Sequence, residues 1–526
     1  MNVNTNDIEL SAAPMPELSD TQGLILRGYN FPFVRYLIFT IKDVTGTQAF
    51  LKHILPGSNA PLTVTTATPW KTGEKPNYCL NIGVTTFGLK MLIGAEQFKT
   101  VYYGSYGLFQ LYNTGAAVNA KQVGDTDDSA PAFWWKRSGG WLAPVDPAKD
   151  GSDLHIQITL FAHDADGLES NYQTLLKMIP AGAGGPSMVV AFTKDSEPLP
   201  KGNDYIHFGY KDSFSQPRLS KVPWNTTKQR LLLGKSTIDD RPVVPPYNFA
   251  ISTDRFPENP DGPKYNAHPL LENGSFAAFR LLYQDVKAFN TFINNKTNGI
   301  TPELMAAKMC GRWFDGTPLV VSPEKPDPNL KDFDFTNFNY IYRTENQQGV
   351  RQDDDLGQLC PYAAHIRRTN PRDDTKVKGN VNPDGTPSYA ESRRIMRRAG
   401  AYGPDYVENE PDGIQRGLVG LFICASLTDQ FQFIMQSWIT QNGFRPGADA
   451  SQNQSGFDPL FGPPNQKVAA YNEFDYLPDG ATDQPYKQVK GLERFIRTDG
   501  SLFLFLPGIA GLESLSKGLI PPVSKP

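Results

Sequence analysis

At 526 residues the chain could fill two to four ordinary domains or two fused cores, so size does not limit its stability. Lys plus Arg number 51 against 55 for Asp plus Glu, a net charge of −4 with no long basic or acidic block, which excludes a nucleic-acid footprint and a charged interaction tail. Gly (46) and Pro (44) are frequent while aromatics reach 12%, the balance of a loop-rich globular protein rather than a disordered one.

Residues 1–22 read as a flexible segment. The first 26 residues hold no Lys or Arg and no sustained apolar run, so no secretory signal is visible. Cytoplasmic residence is expected, with a secreted form if a leader is missing. The apolar runs 31–41 and 417–427 fall short of the ~20 residues that cross a membrane, so no membrane partner is expected. Residues 29–41 and 154–162 are rich in β-branched and aromatic residues and predict buried strands. Between them, 78–91 predicts a strand running into a helix start. Leu168, Tyr172, Leu175, Leu176 and Ile179 recur at helical spacing over 164–179. A comparable series follows: strand 274–283, helix 284–295, strand 417–427, helix 428–440 and strand 501–509. Two α+β halves of similar element order are predicted, with the boundary within 218–272. Segments 114–153, 320–357, 370–392 and 441–490 predict loops.

Cys79, Cys310, Cys360 and Cys424 show no CxxC spacing, and the six histidines form no HExxH and no i,i+4 pair, which argues against zinc and di-iron sites. No GxSxG elbow occurs, and Gly182-Ala183-Gly184-Gly185 lacks the Lys-Ser/Thr of a phosphate loop. His365 stands between Ala364 and a run containing Arg367, Arg368 and Arg372. An imidazole beside arginines suits a haem iron whose propionates need guanidinium partners, and it equally suits a half-buried helix-start histidine in a basic segment. Asp212, three residues after Gly209, is either a general base on a turn or an ordinary Asx turn. The Arg393–Arg398 run is either a solvated helix face or a face with one arginine turned inward.

Taken together these segments resemble the dye-decolourising peroxidase family. HFGYKDSFSQP is similar to its GxxDG-containing segment, CPYAAHIRRTNPR to its proximal histidine segment and RRIMRRAGAYGPDY to its distal arginine segment, in the family's order. Flanking stretches extend the resemblance over roughly residues 20–515. The resemblance implies two ferredoxin-like α+β halves with antiparallel sheets, spanning 23–245 and 246–515, followed by a short tail 516–526. It implies one haem b in the C-terminal half, held by His365 as iron ligand. Asp212 and Arg397 become the catalytic distal pair; Arg397 is chosen over Arg398 because it keeps the family's spacing to Tyr402-Gly403. Arg368 and Gln216 become propionate contacts, Ser213 and Phe214 line the haem edge, and a carboxylate behind His365 is expected within 441–493. Ser213 replaces the motif's Gly, and Gly420 stands where a bulky aromatic usually faces the distal side, implying an open pocket. The activity implied is reduction of hydrogen peroxide through a ferryl and porphyrin radical with oxidation of dyes, phenolics or other organic donors, by a monomer or homodimer. A haem-binding or haem-delivery protein with incidental turnover is the alternative.

Overall fold

The computed structural model describes residues 16–71, 73–136, 151–212, 216–219, 243–244, 249–251, 267–295, 299–330, 335, 338–341, 354–374, 393–408, 413–441, 444, 456–462, 473–478 and 486–522. Eight strands form one antiparallel sheet: β1 (Phe33–Ile41), β2 (Tyr78–Val84), β3 (Ile156–Ala162), β4 (Met188–Ser196), β5 (Ser275–Gln284), β6 (Met396–Tyr402), β7 (Gly417–Cys424) and β8 (Ile496–Leu506). Their spatial order is β6-β7-β5-β8-β2-β3-β1-β4. Each half therefore repeats one pattern, with its own second and third strands forming a pair beside the first, and the fourth strand on the first strand's other side. That is the duplicated ferredoxin-like arrangement. The halves join at Phe505 of β8 opposite Val84 of β2. At the other extreme the Glu197 amide donates to the Ala401 carbonyl at 3.1 Å, so the outer strands β4 and β6 meet and the sheet curls back on itself.

Side-chain caps start the helices where the chain leaves the sheet. Asp43 caps α1 (Val44–His53), Thr85 caps α2 (Thr86–Gly104), Asp285 caps α5 (Val286–Ile293) and Thr301 caps α6 (Pro302–Cys310), the last with proline in its first turn. Between α2 and α5 in sequence lie α3 (Tyr106–Val118) and α4 (Ala165–Lys177). The two halves are tied through the interior. Arg280 of β5 grips Asp125, which follows α3, through two bonds of 2.5 and 2.7 Å, with Thr498 of β8 beside them.

Several expectations need correction. The end of the segment expected to be flexible joins the core: Thr21 and Gln22 are fully buried, and Gln22 bonds the Ile82 and Pro507 carbonyls, bridging β2 to the end of β8. The C-terminal helix, Ile509–Ser516, packs on α1, so the second half is not a self-contained unit, and the tail is pinned where Gln97 bonds Gly518 and Ile520. Residues 114–118 finish α3 rather than begin a loop. Residues 396–402 are an edge strand, not a helix face, because β7 supplies their backbone partners. Most of the predicted boundary, 218–272, lies outside the described residues.

Candidate active site

His365 opens the short helix α7 (His365–Thr369), and the structure braces that helix with buried charge. Arg367, fully buried, bonds Asp354 at 2.7 Å, Asp374 at 3.1 Å and the Cys360 carbonyl at 2.7 Å, and lies against the Tyr340 and Tyr362 rings. Asp354 in turn accepts the Leu359 and Cys360 amides. Burial opposes the Arg367 charge, but the two carboxylates outweigh it and hold the guanidinium protonated.

The His365 imidazole presents Nδ1 to Asp458 Oδ2 at 2.7 Å. Asp458 is fully buried, and its other oxygen accepts the amides of Leu460 (2.9 Å) and Phe461 (3.1 Å). Burial raises the Asp458 carboxyl, yet His365, the amides and Arg368 together bring it below the usual carboxylate range. The His365 pKa is pulled down by burial first, but the Asp458 charge and hydrogen bond carry it above its ordinary value. An ionised carboxylate at Nδ1 fixes the proton there and leaves Nε2 bare. Nε2 has no hydrogen-bond partner among the described residues, which suits a metal ligand. Asp458 is the carboxylate expected within 441–493. Its signal was local but shared: it is flanked by Phe457, Pro459, Leu460 and Phe461, and Asp475 of the same stretch sits in a similar apolar run.

Arg397 and Asp212 come together from different halves. The turn 206–210 closes with the Ile206 amide on the Tyr210 carbonyl and the Gly209 amide on the Ile206 carbonyl, and Gly209 at φ +87° supplies a backbone that a side chain would strain. Phe208 and Tyr210 then seat the turn on the C-terminal half: Phe208 stacks on Phe289 of α5 at 4.5 Å, and the Tyr210 hydroxyl donates to the Ala306 carbonyl of α6 at 2.7 Å. Asp212 emerges beside β6, where Arg397 Nη1 meets its Oδ1 at 3.3 Å, the two side chains 37% and 43% exposed. Both groups act electrostatically on His365, so the distal and proximal pairs address one space.

Strand alternation separates the two arginines. Arg398 points to the opposite face, where it donates to the Leu24 carbonyl at 3.0 Å and burial lowers its pKa to about 10. Gln216 donates to the Arg397 carbonyl at 3.3 Å and so supports the strand. Arg368 does not turn toward this space. It is fully buried, donating to the carbonyls of Trp438, Ile439, Gln441 and Gly456 over the Phe444 ring, and so clamps the segment carrying Asp458 instead of waiting for a propionate. Ser213 and Phe214 lie outside the described residues. Gly420 does not open the pocket: a Cβ there would overlap the Arg398 carbonyl oxygen and Ala399, so the missing side chain serves the close approach of β6 and β7. The aromatic on the Arg397 face is Phe422, directly across from Arg397 in the register.

No family model matches the chain. It is 25% identical to Peroxidase 2 of Mycetinis scorodonius and to a dye-decolorizing peroxidase of Mycena epipterygia, covering 94% and 95% of this chain and 87% of each relative. A bacterial relative, a multifunctional dye peroxidase of Amycolatopsis, is 26% identical over 75% of this chain and 79% of its own. Among solved structures, an ancestral D-type dye decolorizing peroxidase superposes with a TM-score of 0.72 at 25% identity, covering 96% of this chain and 100% of that one. A fungal DyP-type peroxidase from Auricularia auricula-judae does so with a TM-score of 0.71 at 22% identity and the same coverage. A His365–Asp458 pair addresses the same space as Arg397 and Asp212, and near-complete coverage and the duplicated fold make the chain similar, over nearly its whole length, to dye-decolourising peroxidases.

Proposed function

We propose that the protein is a haem peroxidase that reduces hydrogen peroxide and oxidises phenols, dyes or other organic donors, with one haem b per chain bound through His365 Nε2. The observation that carries this reading is the His365–Asp458 pair facing an Arg397–Asp212 ion pair. The donor set fits: a histidine whose Nδ1 proton is held by a carboxylate is a strong, correctly tautomerised iron ligand. Bound haem would supply the iron and the redox equivalents for O–O cleavage.

The chain's own groups supply the rest. The Asp458 carboxylate orients the His365 ring and makes it more electron-rich. The Asp212 carboxylate accepts the proton of the peroxide oxygen being bound and returns it to the departing oxygen. Arg397 donates to that departing oxygen and stabilises its developing negative charge. Phe422, across from Arg397, gives the distal wall an apolar surface that limits water. A haem-delivery protein has no use for a paired acid–base and cation on the distal side, which favours the enzyme.

A related enzyme has been solved in complex with 2,6-dimethoxyphenol, which makes that phenol the first donor to try. The protein expressed with haem should show a Soret band and oxidise 2,6-dimethoxyphenol only with peroxide. His365→Ala should lose the haem or hold it weakly. A His365→Ala protein with an unchanged Soret band and rate contradicts the ligand assignment.

A further inference from the structure

We infer that His207 is a positioning residue for the distal pair: its Nε2–H, bonded to the Tyr402 carbonyl at 2.9 Å, ties the turn that carries Asp212 to the strand that carries Arg397. The inference rests on the reading of those two residues as the peroxide-cleaving pair.

Asp212 and Arg397 lie 185 positions apart, and their direct contact cannot set their geometry. At 3.3 Å, with both side chains more than a third exposed, the ion pair is screened by water and orders little by itself. Phe208 and Tyr210 fix the turn to α5 and α6, but neither element belongs to the sheet. Something must relate that seat to β6 within the tolerance of proton transfer. Gln216 reaches the Arg397 carbonyl at 3.3 Å, a long bond from beyond Asp212. His207 makes the shorter link, from within the turn to the last residue of β6, five positions after Arg397.

The bond specifies histidine in one form. His207 is buried, and its Nδ1 is buried with no hydrogen-bond partner among the described residues. The tautomer must therefore carry its proton on Nε2, where the carbonyl accepts it. Protonation would place a second N–H where no acceptor stands. Burial also lowers the imidazole pKa, so the ring stays neutral and acts as a fixed donor. A residue that merely filled space would need bulk at this position; a tie needs an N–H at the reach of Nε2. Glutamine has that reach, and leucine and asparagine do not.

The test uses haem-loaded protein carrying His207→Leu, His207→Gln or His207→Asn, alone and combined with Arg397→Leu. Stopped-flow spectroscopy reads the second-order rate of the first peroxide-driven spectral change. Amide hydrogen exchange reads the order of residues 204–212 without turnover. His207→Leu and His207→Asn should slow the peroxide step by roughly 10- to 100-fold, the scale of a ~1 Å misplacement, and speed exchange in the turn. His207→Gln should recover most of both. In the Arg397→Leu background, adding His207→Leu should change the rate by less than about 3-fold, since the geometry it protects is already lost. Equal loss in the Leu and Gln variants, a wild-type rate in His207→Leu, or a full additive loss in the Arg397→Leu background would overturn the role. If Leu does not fold, the Asn against Gln comparison decides. If Arg397→Leu alone leaves the peroxide step unchanged, the distal-pair reading falls and the role with it. Unaltered exchange of residues 204–212 in His207→Leu or His207→Asn would instead refute the tie alone.

Discussion

Exchanging one oxygen of Asp458 for nitrogen should weaken haem binding through the tautomer of His365. In the protein, Oδ2 accepts the Nδ1–H of His365 while Oδ1 accepts two backbone amides, Leu460 and Phe461. An Asp458→Asn side chain can satisfy only one side. With its carbonyl on the two amides, its NH2 faces Nδ1, and the imidazole must move its proton to Nε2, the atom that ligates iron. With the amide turned, the tautomer is kept but NH2 faces two N–H groups. That orientation loses two hydrogen bonds in a buried site, at about 1 kcal/mol each or about 2 kcal/mol in total. Because ~1.4 kcal/mol is a factor of ten, haem affinity should fall roughly 30-fold, within the 10–100-fold range typical of changes behind a metal-ligating histidine. Transfer of haem to a competing apo-globin, followed by the Soret band, measures this directly. An Asp458→Asn protein with wild-type haem retention and an unchanged ferric spectrum would refute the tautomer argument.

Asp212→Asn and Arg397→Leu should each slow the peroxide step by about 10²–10⁴-fold with haem content retained, whereas Arg398→Leu should leave that step near wild type; stopped-flow mixing with peroxide ranks the three. Gly420→Ala should destabilise the fold by about 1–3 kcal/mol in denaturant titration, because its methyl group would overlap Ala399 and the Arg398 carbonyl oxygen. Asp125→Leu, which leaves the buried Arg280 guanidinium without its carboxylate, should cost about 3–5 kcal/mol by the same assay. Burial lowers the His268 pKa from 6.5 to about 4, so the folded state binds fewer protons there than the unfolded chain. The resulting stability is complete above pH 6.5 and lost as pH falls toward 4; His268→Gln should flatten that part of the melting-temperature profile, and an identical profile in the variant would exclude the contribution.

The elements legible in the sequence were those whose apolar periodicity is unbroken. β3, buried at every position, and α4, with its apolar stripe from Leu168 onward, fall within a residue or two of their predicted spans. β6 was hidden because Arg397, Arg398 and the three small residues Ala399, Gly400 and Ala401 give it no apolar alternation; its strand state comes from pairing with β7, a tertiary fact. The site divides the same way. His365, Asp212 and Arg397 were singled out from their local segments, with Arg397 preferred to Arg398 on spacing alone; the alternation that puts the two arginines on opposite faces appears only once β6 pairs with β7. Arg368 was misread because its neighbours in sequence are basic and near the histidine, while its partners are carbonyls 70 to 88 residues away. Gly420 was misread because a missing side chain looks the same in sequence whether it opens a pocket or lets two strands approach.

The most direct test of the account is a single-turnover mixing experiment, in which haem-loaded protein meets one equivalent of hydrogen peroxide and its absorption spectrum is recorded from milliseconds. Peroxide should cause a rapid loss of the resting Soret intensity, reversed on adding 2,6-dimethoxyphenol, with the first phase slowed at least ~100-fold in Asp212→Asn. A resting spectrum that peroxide leaves unchanged, or a first phase equally fast in Asp212→Asn, would contradict the account.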